Sequence, residues 1–126
     1  VNDVMAQIKS EITFPEMADH TVDELPYYGY DQIDTDQIDS AAYSIASSGL
    51  TAEEVLIVKL KNADDADAVK SMMETRRDQI AATAQDYTPE EMNKITSAVI
   101  GSKGQYVYFA ITGDNEKAKQ IFEGSF

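Results

Sequence analysis

The sequence predicts an α+β domain: an antiparallel sheet of about four strands with helices packed on one face. Three observations predict it. Residues 55–58 are a short, mostly β-branched apolar run, too short for a buried helix. Residues 97–102 and 105–112 are strand-like segments joined around Lys103 and Gly104, a hairpin signal. An apolar stripe of Ala66, Val69, Met73, Ile80 and Ala84, with Met72 alongside, marks a long helix between them. Sequential strands joined by short turns pair antiparallel, and no glycine-rich phosphate loop or parallel strand–helix–strand unit interrupts the order.

The elements follow along the chain. Val4, Met5, Ile8 and Ile12 recur at helical spacing, so the first dozen residues read as an amphipathic helix ended before Pro15. The stretch to Gly49 is rich in Asp, Tyr, Gly and Pro and reads as irregular. Within it, Thr21 and Glu24 have the spacing of a capping box, and Pro26 is expected to limit that helix to little more than a turn. Ala42, Tyr43, Ser44, Ile45 and Ala46 fit a strand or the beginning of a helix. Thr51 and Glu54 have capping-box spacing too, which predicts a brief helical turn before the strand at residues 54–60.

Asp64, Asp65 and Asp67 put negative charge at the positive end of the long helix, which is expected to run to about Gln85. Thr88, Pro89 and Glu91 announce a second short helix carrying Met92 and Ile95. After the hairpin, a last helix starts at Asp114 with Ala118, Ile121 and Phe122 on its apolar side. The order strand, strand, helix thus occurs twice, compatible with a ββα repeat after a helical and irregular amino-terminal third.

The 126 residues fit one domain, 1–126, long enough to bury a core without staples. No cysteine is present, which removes disulfides, thiolate metal sites and cysteine nucleophiles. The net charge of −13 is lopsided: through Val58 there are 12 acids and only one base, Lys9, a net −11. Such a field repels phosphates and anionic headgroups, so neither nucleic acid nor an anionic lipid surface is an expected partner. No apolar run approaches the roughly 18 residues of a membrane-spanning helix. The chain begins at Val1 rather than methionine, so a processed or partial form, with a leader or anchor removed, is expected.

Candidate chemistry is sparse. His20, the only histidine, lies beside Asp19 with no nucleophile elbow near it and reads as a surface loop residue. Asp31, Asp34, Asp36 and Asp39 crowd nine residues without a base, a calcium candidate; Ile38 stands where a ligand is wanted and no glycine follows, so capping and turn roles compete. No catalytic residue and no cofactor are implied. Tyr27, Tyr28 and Tyr30 cluster around Gly29, while Tyr106 and Tyr108 alternate with Val107 and Phe109. Val107, Phe109 and Ile111 are expected to face the helices and Tyr106 and Tyr108 the opposite side. If that face is open it suits a peptide, a glycan or a second copy; if the amino-terminal third covers it, Tyr106 and Tyr108 are core, and tyrosine is also an ordinary strand former with a wet hydroxyl. Tyr27, Tyr28, Tyr30, Tyr106 and Tyr108 are the contact candidates.

Several segments carry a resemblance: Leu25, Tyr28, Gly29 and Asp31; Glu54 to Lys59 leading into the long helix; Gly104, Tyr106 and Val107; and Ala118, Ile121 and Phe122. In their order and spacing they resemble a family of small exported bacterial lipoproteins grouped only as a domain of unknown function. The resemblance implies an α+β domain displayed outside the cytoplasmic membrane and tethered through a lipid on an amino-terminal cysteine, one absent from this sequence. It implies no activity, cofactor or catalytic residue. Gly29 is expected to end a helical turn with positive φ, Gly104 to make the hairpin, and Glu54 to cap a turn or bond a neighbouring backbone. The function expected is non-enzymatic binding of a protein, peptide or envelope component. A carboxylate-based hydrolase or transferase acting on an envelope polymer is the alternative.

Overall fold

The computed structural model describes Val1–Phe126 and puts the apolar run of residues 55–58 at the centre of a sheet. Five strands, β1 (Met17–His20), β2 (Ile38–Ala46), β3 (Glu54–Leu60), β4 (Val99–Lys103) and β5 (Tyr106–Ile111), pair antiparallel in the order β1-β2-β3-β5-β4. Four α-helices accompany them: α1 (Asn2–Glu11), α2 (Ala66–Tyr87), α3 (Met92–Thr96) and α4 (Asn115–Ser125). Short 3-10 turns lie at Val22–Tyr28, Thr35–Gln37, Ala63–Asp65 and Pro89–Glu91. The α+β class and the antiparallel sheet are as the sequence predicts. The fifth strand is β1, four residues from the stretch read as irregular, which gains its ladder only from Tyr43–Ala46 of β2.

Helices cover both faces of the sheet, not one. β3 and β5 carry apolar side chains on both faces, so neither face can be left to water. On the first, α1 and α4 bury Met5, Ile8, Ile12, Ala118, Ile121 and Phe122 against Val55, Ile57, Tyr108 and Ala110. On the second, α2, α3 and the turn Val22–Tyr28 bury Leu25, Val69, Met73 and Ile95 against Leu56, Val58, Phe109 and Ile111. The two ββα units are therefore alike in order but send their helices to opposite faces.

Local signals decide most boundaries. Gly104 turns the β4–β5 hairpin with φ of 61°. The Asp114 carboxylate accepts from the Lys117 amide at 3.1 Å and caps α4. At Thr21, the Glu24 carboxylate accepts from the backbone amide and the hydroxyl, both at 3.0 Å. The 3-10 turn that follows continues through Pro26 to Tyr28, longer than expected, because the ring's fixed φ suits 3-10 geometry. Two expected features do not form. No helical turn precedes β3, whose first residue is Glu54 itself. No capping box forms at Thr88, since Glu91 instead accepts from the Ala52 amide at 2.8 Å and from Lys94 Nζ at 3.1 Å. That amide donor, in the loop before β3, is satisfied by Glu91 rather than left unpaired.

Candidate functional site

Glu54 opens the central strand on the α2 face and is only 2 % exposed. The Arg76 guanidinium on α2 reaches it with two donors, Nε to Oε2 at 3.1 Å and Nη2 to Oε1 at 2.8 Å. Tyr30, placed just after the turn Val22–Tyr28, donates its hydroxyl to the same carboxylate. So Glu54 neither caps a turn nor bonds the backbone, as its position in the sequence suggested. The geometry is the bidentate fork that arginine alone offers a carboxylate. Tyr43 of β2 packs edge-on against Tyr30 at 5.6 Å between ring centres, and its buried hydroxyl has no hydrogen-bond partner.

Burial, and then the negative charge of Glu54, push the Tyr30 and Tyr43 hydroxyls well above the usual tyrosine range. Burial alone would lower Arg76, but the hydrogen bonds and charge of Glu54 outweigh it and hold the guanidinium protonated above its ordinary value. Gly29 makes room for this arrangement. Its φ is 96°, and a Cβ there would stand 2.7 Å from Arg76 Nη1 and 2.9 Å from Cδ. Gly29→Ala is expected to lose about 2 kcal/mol, from the left-handed conformation and the displaced arginine together. Gly29→Asn tests the second cause: asparagine tolerates the left-handed region, yet its Cβ meets the same atoms, so urea denaturation should show little rescue.

A second polar knot lies just before β3, at the same end of the strand. Lys94 Nζ lies 3.4 Å from Glu53 and 3.1 Å from Glu91, two carboxylates that are themselves buried. Burial works against the Lys94 charge, but Glu91 and Glu53 more than offset it and raise its pKa. Asn115 Nδ2 then donates to the Lys94 carbonyl at 2.9 Å, tying α3 to the start of α4. This is where two carboxylates converge, and an ammonium stands between them.

The predicted tyrosine surface does not assemble. Tyr30 is buried under Arg76 and Tyr108 lies between the sheet and Phe122, 4.4 Å between ring centres, so both are core residues rather than contacts. Tyr106 stacks on Phe126 at 4.2 Å, and Tyr28 packs tilted against His20, 4.2 Å between ring centres. Only Tyr27 stands free, 85 % exposed. Tyr108 is covered by α1 and α4, whereas Tyr30 is buried on the other face against α2. The aspartates disperse as well: Asp34 accepts from the Asp36 amide at 3.0 Å, and Asp39 pairs with Lys59 at 3.6 Å. No group of three or more acidic or histidine side chains is placed to hold a metal ion.

His20 is not a loop residue. It ends β1 opposite Tyr43, with Nδ1 3.0 Å from Glu24, and it borders a cleft of about 300 Å³ between α1 and β2. Ala6, Ala41 and Ala42 are among the residues that line it, as are Lys9 and Asp19, which form an ion pair at 2.6 Å. Lys9, and next to it Ser44, hold the Asp19 carboxyl below its ordinary pKa.

The family model described as Domain of unknown function (DUF4358) matches residues 11–112. The chain belongs to this family. The matched span of the DUF4358 domain runs through all five strands and contains Tyr30, Glu54 and Arg76, whereas nearly all of α1 and the whole of α4 lie outside it. No curated protein and no solved structure matches the chain.

Proposed function

We propose that this DUF4358 domain is a non-enzymatic binding domain, held by an amino-terminal lipid at the outer face of the cytoplasmic membrane, and that it takes a protein, peptide or envelope component. The observation that carries the reading is the cleft between α1 and β2. There, open space adjoins small apolar side chains and polar groups that keep hydrogen-bonding capacity. The buried carboxylates are engaged elsewhere: Glu54 by Arg76 and Tyr30, Glu53 and Glu91 by Lys94. The resemblance to exported lipoproteins supports the location, and no helix is long and apolar enough to cross a membrane.

Two measurements test this. Isotope-labelled domain titrated with soluble wall glycopeptides and short synthetic peptides should show saturable amide shifts centred on His20, Ala41 and Ala42, with the ligand recovered unchanged. Cleaved ligand would replace binding by catalysis. Fractionation of host cells making the full-length protein should place it with the membranes, open to protease added to intact protoplasts. A protease-resistant pool in the cytosol would remove the location.

A further inference from the structure

β1 pairs only with Tyr43–Ala46, and the chain leaves the sheet at Thr21. The earlier part of β2 is bonded to β3 on one side and has no strand on the other. A register shift lies between Ile38 and Ser40, so the regular free stretch is Ser40, Ala41 and Ala42. Three residues of strand span about 10 Å. A free edge is normally blunted by charge, proline or a covering segment, because its unpaired N–H and C=O groups invite another strand. Here the edge is lined by serine and alanine, and the space beside it is the cleft already described.

We infer that this cleft receives an extended, basic peptide segment, which continues the line of β1 and adds to the free edge of β2 as a short antiparallel strand. The inference rests on the binding-domain reading and names the class of its partner. Three features select this occupant. A volume of about 300 Å³ suits a few small or extended residues, and the small side chains of Ala6, Ala41 and Ala42 line it, Ala42 on the face that α1 covers. His20 stands where β1 stops; Nδ1 is engaged by Glu24, while Nε2 has no protein partner and is not sealed from solvent, so it can bond the incoming chain. Charge decides the sign. The first 58 residues carry a net −11 with Lys9 as their only base, and Lys9 is already paired with Asp19. A second copy, itself at −13, would be repelled, whereas lysine or arginine side chains alternating along a strand would be drawn in.

The test uses the whole 126-residue chain, isotope-labelled, and three synthetic octapeptides. One alternates lysine with valine, one alternates glutamate with valine, and one is the lysine peptide methylated on alternate backbone nitrogens so that one edge cannot donate. The lysine peptide should move the Ser40, Ala41, Ala42 and His20 amides, with affinity falling about tenfold or more as salt is raised from low to high. The methylated peptide should bind at least about tenfold more weakly, since backbone bonds carry strand addition. Ala6→Trp, an exposed α1 position, should fill the cleft and weaken binding similarly with an unchanged melting temperature. Equal binding of the methylated and unmethylated peptides overturns the inference, as does a response confined to the β4 edge or none at millimolar peptide. A wall glycopeptide that shifts the same cleft while the lysine peptide does not would overturn strand addition and leave the binding-domain reading standing. Silence of the cleft toward every ligand would end both.

Discussion

Replacing Arg76 by methionine is expected to lower the free energy of unfolding by about 3 kcal/mol, the lower end of the cost of stripping one partner from a buried ion pair. The lower end applies because Arg76 keeps some contact with water, its side chain being 18 % exposed, whereas Glu54 has almost none. Without the guanidinium, Glu54 would retain the Tyr30 hydroxyl in a site walled by apolar side chains. A carboxylate left there without its counter-charge is the costly part of the substitution. Adding Glu54→Leu should recover most of the loss, because removing both charges leaves nothing buried and unpaired. Urea denaturation of the four-member cycle at neutral pH reads all of this. A cost below about 1 kcal/mol at neutral pH would mean that the pair contributes no more than a surface bridge.

Alkali should unfold the domain steeply for a different reason. Tyr30 and Tyr43 are both held well above the ordinary tyrosine range, by burial first and by the Glu54 charge second. Below about pH 10 both tyrosines are neutral in the folded and unfolded states, and their contribution is fully present. Above it, the unfolded tyrosines ionise while the folded ones keep their protons, so stability drains away as the pH rises toward the folded values. Each pH unit costs about 1.4 kcal/mol per tyrosine, so the two together remove about 5 kcal/mol by about pH 12. Chemical denaturation across this range, followed alongside tyrosinate absorbance, should show the buried phenols ionising only as the chain unfolds. Tyr43→Phe separates the contributions. Its hydroxyl is buried without a partner, so the variant should match or exceed the native stability at neutral pH and lose stability about half as steeply in alkali. An alkaline slope unchanged by that substitution would assign the effect to other groups.

The two residues at the centre of these predictions show how far a sequence can be read. Arg76 lies on the same stripe as Val69, Met73, Ile80 and Ala84, three residues after Met73 and four before Ile80. A charge on the buried face of a helix is a signal that a counter-charge awaits it, and Glu54 at the head of an apolar strand is the matching signal. Each is visible alone. Their pairing is not, because it depends on α2 crossing the second face of the sheet at the height of the first residue of β3. Gly29 was legible as a positive-φ terminator, but its second duty, clearing space for Arg76, exists only once the helix is in place.

The tyrosines teach the converse. Alternation correctly separated Tyr106 and Tyr108 from Val107, Phe109 and Ile111, since side chains on a strand point to opposite faces with period two. It could not say what lay beyond. Val55 and Ile57 share the Tyr108 face, and that much apolar surface drew α1 and α4 over it, turning a contact candidate into core.

By itself, then, the sequence determined what local chemistry can determine: the strand at residues 54–60, the long helix, the hairpin at Gly104, the cap at Asp114 and the acidic imbalance of the first 58 residues. Periodicity, side-chain caps and net charge are properties of neighbours in the chain. Tertiary structure alone decided which face each helix covers, that four irregular residues become β1, that Glu54 meets Arg76, and that β1 stops short of the free edge of β2 beside a cleft. Those outcomes depend on residues far apart in sequence competing to bury the same apolar surface and to satisfy the same buried polar groups, a competition settled only when the whole chain has packed.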